Sequence, residues 1–257
     1  MIHLKRHLRS FLALSILLFS QQAWSETNTA DLEVNPTALL AEVDARLQPE
    51  SYEMYRKLIN IEPDGDRKEF VLYTVKKGKE NVVALFLDPA SERGRSSLRV
   101  GDNMWLYIPN VGKPLRITSL QSVVGGVFNN SDILQLDYST EYRAETLTDE
   151  GETYLLSLKA KHRSVAYDQL RMWVDKSTKT PITIEAYSAS GMLIKTLHYS
   201  KIKDFGNGYI RPAMLETDSP LYKGYKSVML FDGIKPRALS EEVFTLGYMS
   251  KIGELRE

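Results

Sequence analysis

Cysteine is missing from all 257 residues. No disulfide can staple this fold, and no thioether-linked lipid can be attached to a processed N-terminus. Acids are missing from the first 25 residues, where Lys5, Arg6 and Arg9 stand. Long apolar runs are missing as well. Phe11–Phe19 is too short to span a bilayer, and nothing later reaches the ~18 residues of a membrane helix. An excess of charge is missing: 33 basic residues balance 33 acidic ones. That excludes the electrostatic footprint of a nucleic-acid binder and of a protein held on anionic lipid by charge. Catalytic motifs are missing too. The chain has no G-x-S-x-G, no H-E-x-x-H and no phosphate loop. Of its four histidines only His162 and His198 lie beyond the N-terminal segment, on different candidate strands. We expect no enzyme, no cofactor and no metal site.

What is present begins with a secretory layout. A basic start, the apolar run Phe11–Phe19 and the small-x-small pair Ala23 and Ser25 form a signal peptide over 1–25, with cleavage near Ser25. Cleavage would take the formal charge from 0 to −3, because Lys5, Arg6 and Arg9 leave with it. The expected compartment is the periplasm. Residues 26–34 are expected to be disordered, and 35–257 to form a single domain. One amphipathic helix follows. Asn35 is a good N-cap and Pro36 a good first helical residue. Leu39, Leu40, Val43 and Leu47 form one apolar stripe, and Pro49 closes the helix.

Thirteen candidate strands then run from Tyr52 to Phe231, joined by turn-forming links such as "PDGD" at 63–66 and "TDEG" at 148–151. Short links favour antiparallel hairpins, and the lack of alternating helices argues against a parallel sheet. Asp64 and Asp66 around Gly65 lack the ligand order of a calcium loop and read as a hairpin turn. Thr153–Ala160 mostly alternates wet and dry, as a half-buried strand does. Lys68–Lys76, Asn81–Leu87 and Asn103–Pro109 do not. In the last, Met104, Leu106 and Ile108 point one way, Trp105 and Tyr107 the other, and both faces are apolar. The second face needs a cover. Either a β-sandwich provides it, or a curved sheet surrounds an apolar cavity whose mouth is plugged by helices. The N-terminal helix and "ALSEEVFTLGYM" near the C-terminus could be the plugs. Ser240 could cap the second one, with Glu241 and Glu242 in its first turn; it could equally be a final strand.

Several features occur in a telling order. Trp105-x-Tyr107-x-Pro109 is followed by basic residues and "RIT"; then come "GGVFNNSD" at 125–132, "WVD" at 173–175 and Gly191 leading to Lys195. From Tyr52 to Met249 the chain resembles the periplasmic outer-membrane lipoprotein-sorting proteins related to LolA and LolB. The resemblance implies a mainly β fold with a few helices: an open, strongly curved antiparallel half-barrel covering an apolar cavity plugged by helices. It implies a carrier of lipid or lipoprotein acyl chains, acting as a monomer, with an RND-type inner-membrane lipid transporter as partner and no role for nucleic acid. A non-carrying periplasmic adaptor is the alternative. Around 123–131 the chain has "GGVFNNSDIL" where the family pattern leads one to expect "GSDF" and an aromatic-acidic segment, so no cargo contact is carried over there. Candidate cavity-lining residues are Phe70, Leu72, Phe86, Trp105, Tyr107, Met172 and Trp173. Candidate lid residues are Leu40, Val43, Leu47, Phe244 and Leu246.

Overall fold

The computed structural model describes residues 34–206 and 208–256. The signal peptide expected at 1–25 lies outside the described residues, as do all but the last of residues 26–34. Val34 packs partly buried against the core.

Helix α1 (Pro36–Leu47) starts where the sequence places it. The Asn35 side chain accepts from the backbone N–H groups of Thr37 and Ala38 at 2.9 and 3.0 Å, which satisfies two donors that the helix itself leaves free. Thirteen antiparallel strands follow: β1 (Ser51–Ile61), β2 (Arg67–Lys77), β3 (Asn81–Asp88), β4 (Ser96–Val100), β5 (Asn103–Tyr107), β6 (Leu115–Ile117), β7 (Tyr142–Glu150), β8 (Thr153–Ala160), β9 (Gln169–Asp175), β10 (Pro181–Tyr187), β11 (Leu193–Asp204), β12 (Ile210–Asp218) and β13 (Lys226–Pro236). They form one sheet in the order β6-β5-β4-β3-β2-β1-β13-β12-β11-β10-β9-β8-β7. The sheet is curved and does not close: β6 and β7 are its two edges.

That order has a consequence for the link between β6 and β7. These strands are consecutive in sequence but lie at opposite edges, so residues 118–141 must travel from one edge to the other. They do so across the concave face. Two short helices stabilise the passage, α2 (Asn130–Ile133) and α3 (Tyr138–Glu141). The expected strand Leu115–Leu120 therefore stops at Ile117, and the chain becomes a cover.

The two-faced strands are now explained. On β2 and β3, Phe70, Leu72, Val82, Ala84 and Phe86 face the concave core. Their neighbours Tyr73, Val75, Val83 and Leu85 face the convex side. There the C-terminal segment packs on them as three 3-10 turns, Glu241–Phe244, Leu246–Tyr248 and Ile252–Arg256, contributing Leu239, Val243, Phe244, Met249 and Ile252. On β5, Met104 joins the concave core, whereas Trp105 and Tyr107 lie under the C-terminal segment. The second cover is thus a tail wrapped on the outside of the half-barrel.

Candidate functional site

The concave face is the place where the fold has room to act, and the chain itself fills it. Leu39, Leu40, Val43 and Leu47 of α1 all enter the concave core. From the 118–141 link come Val123, Phe128, Ile133, Leu134, Leu136 and Tyr138. Besides a pocket of about 200 Å³ at the rim, between Arg99 of the sheet and Leu136, Thr140 and Glu141 of the cover, the space between cover and sheet includes two smaller voids, one of about 20 Å³ beside Asp44, Leu47, Gln48, Tyr52 and Arg56 and one of about 30 Å³ beside Asp132, Tyr138, Tyr167 and Tyr199. Each of these two voids holds little more than a water-sized group. An open cleft of about 470 Å³, lined by Phe70, Pro89, Arg95 and Val124 among others, lies where the edge of the link meets β2.

Local chemistry explains how the link is seated. Gly125 takes φ +81°, a conformation open to glycine. Gly126 lies so close to Asn60 that a Cβ would come within 2.0 Å of its Oδ1. Asn60 in turn holds the segment. Its Nδ2 donates to Val124 O at 3.3 Å, its Oδ1 accepts from Ser227 Oγ at 2.8 Å, and Ser227 Oγ accepts from Val127 N at 2.9 Å. Val124 sits at φ +49°, where a β-branched residue is strained. Asn129 and Asp132 then form a reciprocal capping box at the start of α2.

The concave face is not purely apolar. Five buried cations project from its strands: Arg56, Lys76, Arg99, Lys195 and Arg211. Among the described residues, every buried charged side chain on a strand is basic; the two buried acids, Asp44 and Glu141, belong to α1 and α3. The cover supplies the cations' partners. Arg99 pairs with Glu141 at 2.5 Å and Lys195 with Asp132 at 2.7 Å. Lys76 Nζ lies 2.9 Å from Asp137 Oδ1, without the alignment of a hydrogen bond. Among the described residues, Arg56 and Arg211 have no carboxylate partner. Arg56 Nη2 donates to Ile133 O at 2.8 Å and to Thr74 Oγ1 at 2.6 Å, while its Nε has no partner. Arg211 donates to Leu47 O, at the C-terminus of α1. Burial draws the Arg56 guanidinium down to about 10 and also lowers Arg211. Burial pushes Glu141 up against the opposing pull of Arg99. It raises Asp44 to about 6, although Asp44 accepts from Tyr138 N and Ser139 N at 2.7 and 2.8 Å and so ties α1 to α3.

The sequence-based candidates divide between the faces. Phe70, Leu72, Phe86 and Met172 line the concave core, and the α1 residues Leu40, Val43 and Leu47 cover it. Trp105 and Tyr107 belong to the outer cluster, because odd positions of β5 point outward. Trp173 also points outward, between Met172 and Val174: the Arg171 guanidinium lies 4.9 Å from its ring and Glu150 accepts from its Nε1 at 3.0 Å. Phe244 is buried on the convex side and Leu246 is exposed, so the C-terminal segment does not cover the cavity. His198 is exposed on β11, and His162, expected on a strand, is exposed in the link between β8 and β9. The five cations escaped sequence reading. Their signal was parity: Arg56 continues the inward row of Tyr52, Met54 and Leu58, and Lys76 that of Phe70 and Leu72.

Known proteins resemble this arrangement. A family model described as an uncharacterized protein matches residues 78–251. A LolA superfamily protein of Nitrosomonas europaea superposes with a TM-score of 0.76 at 28% identity, over 84% of this chain and 99% of that one. A structure titled as an outer membrane lipoprotein-sorting protein domain of Vibrio parahaemolyticus gives 0.73 at 17% identity, over 84% and 100%. A DUF1329 family protein of Desulfovibrio piger gives 0.72 at 20%, over 83% and 97%. No curated protein matches the sequence.

Proposed function

The chain belongs to a LolA-like family, and from that premise we propose that it is a periplasmic carrier. It takes up acyl chains of lipids or lipoproteins on the concave face and ferries them from an inner-membrane transporter toward the outer membrane, as a monomer and without catalysis. The observation that carries this reading is the separate cover: α1 and the 118–141 link fill a half-barrel whose sheet is complete without them. An RND-type transporter as the donor rests on the family resemblance.

Magnitudes explain why a carrier would need such a cover. Burying one CH₂ is worth about 0.8 kcal/mol, so a ~16-carbon chain gains ~12 kcal/mol. That alone corresponds to roughly nanomolar affinity. Cargo bound so tightly is hard to release. A cover that occupies the same surface sets an opposing free energy, because cargo must first displace Leu40, Val43, Leu47 and Ile133 from Phe70, Leu72, Phe86 and Met172. On delivery the cover falls back and expels the chain.

The adaptor reading is favoured by one observation, the small size of the two voids deep beneath the cover. The two are separated by mass spectrometry of lipid extracted from protein purified out of the cell envelope. A carrier brings down acyl amphiphile near one per chain. No lipid in the extract, together with no displacement of a bound fluorescent probe by any amphiphile, leaves the adaptor.

A further inference from the structure

We propose that the cargo is an anionic amphiphile, and that the acids and carbonyls of the cover are stand-ins for its head group. The inference rests on the carrier reading and names its substrate class. The concave face carries five strand-borne cations and no strand-borne buried acid. In the closed protein each cation takes its acceptor from an element of the cover. Asp132, Asp137 and Glu141 meet Lys195, Lys76 and Arg99; Leu47 O and Ile133 O meet Arg211 and Arg56. When the cover moves off, those acceptors leave with it.

Acyl chains replace the apolar side chains of the cover but offer nothing to a guanidinium. Cations left under a hydrocarbon chain without anions are strongly disfavoured. A neutral cargo would therefore be penalised by the same sheet that welcomes its tail. A phosphate or carboxylate on the head group removes the penalty and converts it into charge-assisted hydrogen bonds. The geometry also marks where the head would sit. Arg56 and Arg211 border the same void, together with Gln48, whose amide also donates to Asp137, the partner of Lys76. These three cations converge near the C-terminus of α1. Asp44 and Asp137 of the cover stand at this corner against three cations; with Arg56 Nε unpartnered and, among the described residues, no carboxylate bonded to either arginine, the corner stays short of negative charge even when closed. The void of about 20 Å³ does not admit a phosphate until the Leu47 and Ile133 carbonyls withdraw, so head-group binding and opening are one event.

The test uses the delipidated chain from Glu26 to Glu257, loaded with a neutral phenylnaphthylamine probe. Three competitors are compared: a lysophosphatidic acid, the monoacylglycerol with the same chain, and inorganic phosphate. We expect the lysophosphatidic acid to displace the probe at roughly tenfold or more lower concentration than the monoacylglycerol, and phosphate not to displace it. Arg211→Met should erase most of that ratio while leaving monoacylglycerol binding in place. Should Arg211→Met fail to fold, Lys76→Met serves instead: it removes another of the three cations that meet the head group and should likewise shrink the ratio. Equal displacement by the two amphiphiles overturns this inference and leaves the carrier reading standing. Displacement by inorganic phosphate at the same concentrations also overturns it, in favour of a free-anion site. Displacement by none of the three overturns the carrier reading itself.

Discussion

Strands β2 to β4 carry a cover on each side, and the two covers are built differently. On the convex side the C-terminal segment holds by apolar side chains. Leu239, Val243, Phe244, Met249 and Ile252 sink into Tyr73, Val75, Leu85 and Leu98. Its polar ties are mostly peripheral: Ser96 Oγ donates to Met249 O at 2.9 Å, Arg237 donates to Leu255 O at 2.7 Å, Lys77 pairs with the exposed Glu241 at 2.7 Å and Arg256 Nε donates to Tyr55 OH at 3.4 Å. On the concave side the cover also buries apolar groups, but it is latched by buried cations, two buried carboxylates and a strained, glycine-dependent turn. Apolar contact is non-directional and falls off gradually as surfaces part. A buried ion pair is worth having only while both partners stay. One face is therefore clad permanently. The other carries a cover whose apolar and charged contacts can both be taken over by a lipid.

The sharpest way to break this contrast is to remove the convex cover. Deleting residues 239–257 takes away five buried apolar side chains, each worth about 1.5–3 kcal/mol. The sum rivals the ~5–15 kcal/mol that holds a whole domain. We expect the truncated protein to unfold or aggregate, measured by circular dichroism and urea titration. Phe244→Ala alone should cost about 3 kcal/mol, and no amphiphile should restore it, because cargo does not bind there. A truncated chain that keeps its sheet and gains probe binding would make the C-terminal segment a lid after all.

A smaller effect is expected from the concave cover. A methyl group on Gly126 would strike Asn60, which is itself buried and bonded to Ser227. Gly126→Ala should therefore lift the link off the sheet at a cost of about 1–3 kcal/mol. Far-ultraviolet circular dichroism should stay unchanged while uptake of a naphthalene probe rises. Added amphiphile should return much of the lost stability by binding the opened form. If Gly126→Ala destabilises without raising probe uptake, the link is ordinary core and the two covers are alike.

Much of this was legible in the sequence, and the exceptions share a cause. Alternation and turn residues place the strands to within a few residues, and Asn35–Pro36 fixes the start of α1 to the residue. The double-faced apolar runs of β2, β3 and β5 announce two covers. Periodicity cannot say which cover lies on which side, because that depends on the sheet's order. Only the pairing of β1 with β13 sets β6 and β7 at opposite edges and sends 118–141 over the concavity. Helices α2 and α3 are four residues each, too short to show a helical period. Trp105, Tyr107 and Trp173 look like ligand-facing aromatics by type, but strand parity turns them outward. The buried cations look like surface residues by type, and parity turns them inward.

The smallest expected effect tests whether α1 and α3 move as one cover. Asp44 on α1 joins them through Tyr138 N and Ser139 N. Burial raises its carboxyl from 3.8 to about 6 in the closed protein, with the nearby charge of Asp137 adding to the shift. Once the cover lifts, Asp44 meets water and its ordinary value returns. The closed form therefore holds a proton between about pH 4 and pH 6 that the open form has given up. A group raised in this way stabilises closure fully below about pH 4 and loses that contribution as the pH climbs through about 6. A shift of this size is worth on the order of 1–3 kcal/mol at most. Probe uptake should thus be lowest near pH 4 and should rise toward pH 7. Asp44→Asn cannot titrate, so its uptake should vary less with pH, keeping only the slope that other groups such as Glu141, also raised by burial, contribute. The convex side offers an internal control, since Glu53 is held below its ordinary value despite an opposing desolvation, by hydrogen bonds from Tyr73 and Arg237. It should stabilise the C-terminal cover as pH rises, opposite in sign to Asp44. If the Asp44→Asn profile overlays that of the unaltered protein, the α1–α3 junction does not open with the cover, and the 118–141 link must lift without α1.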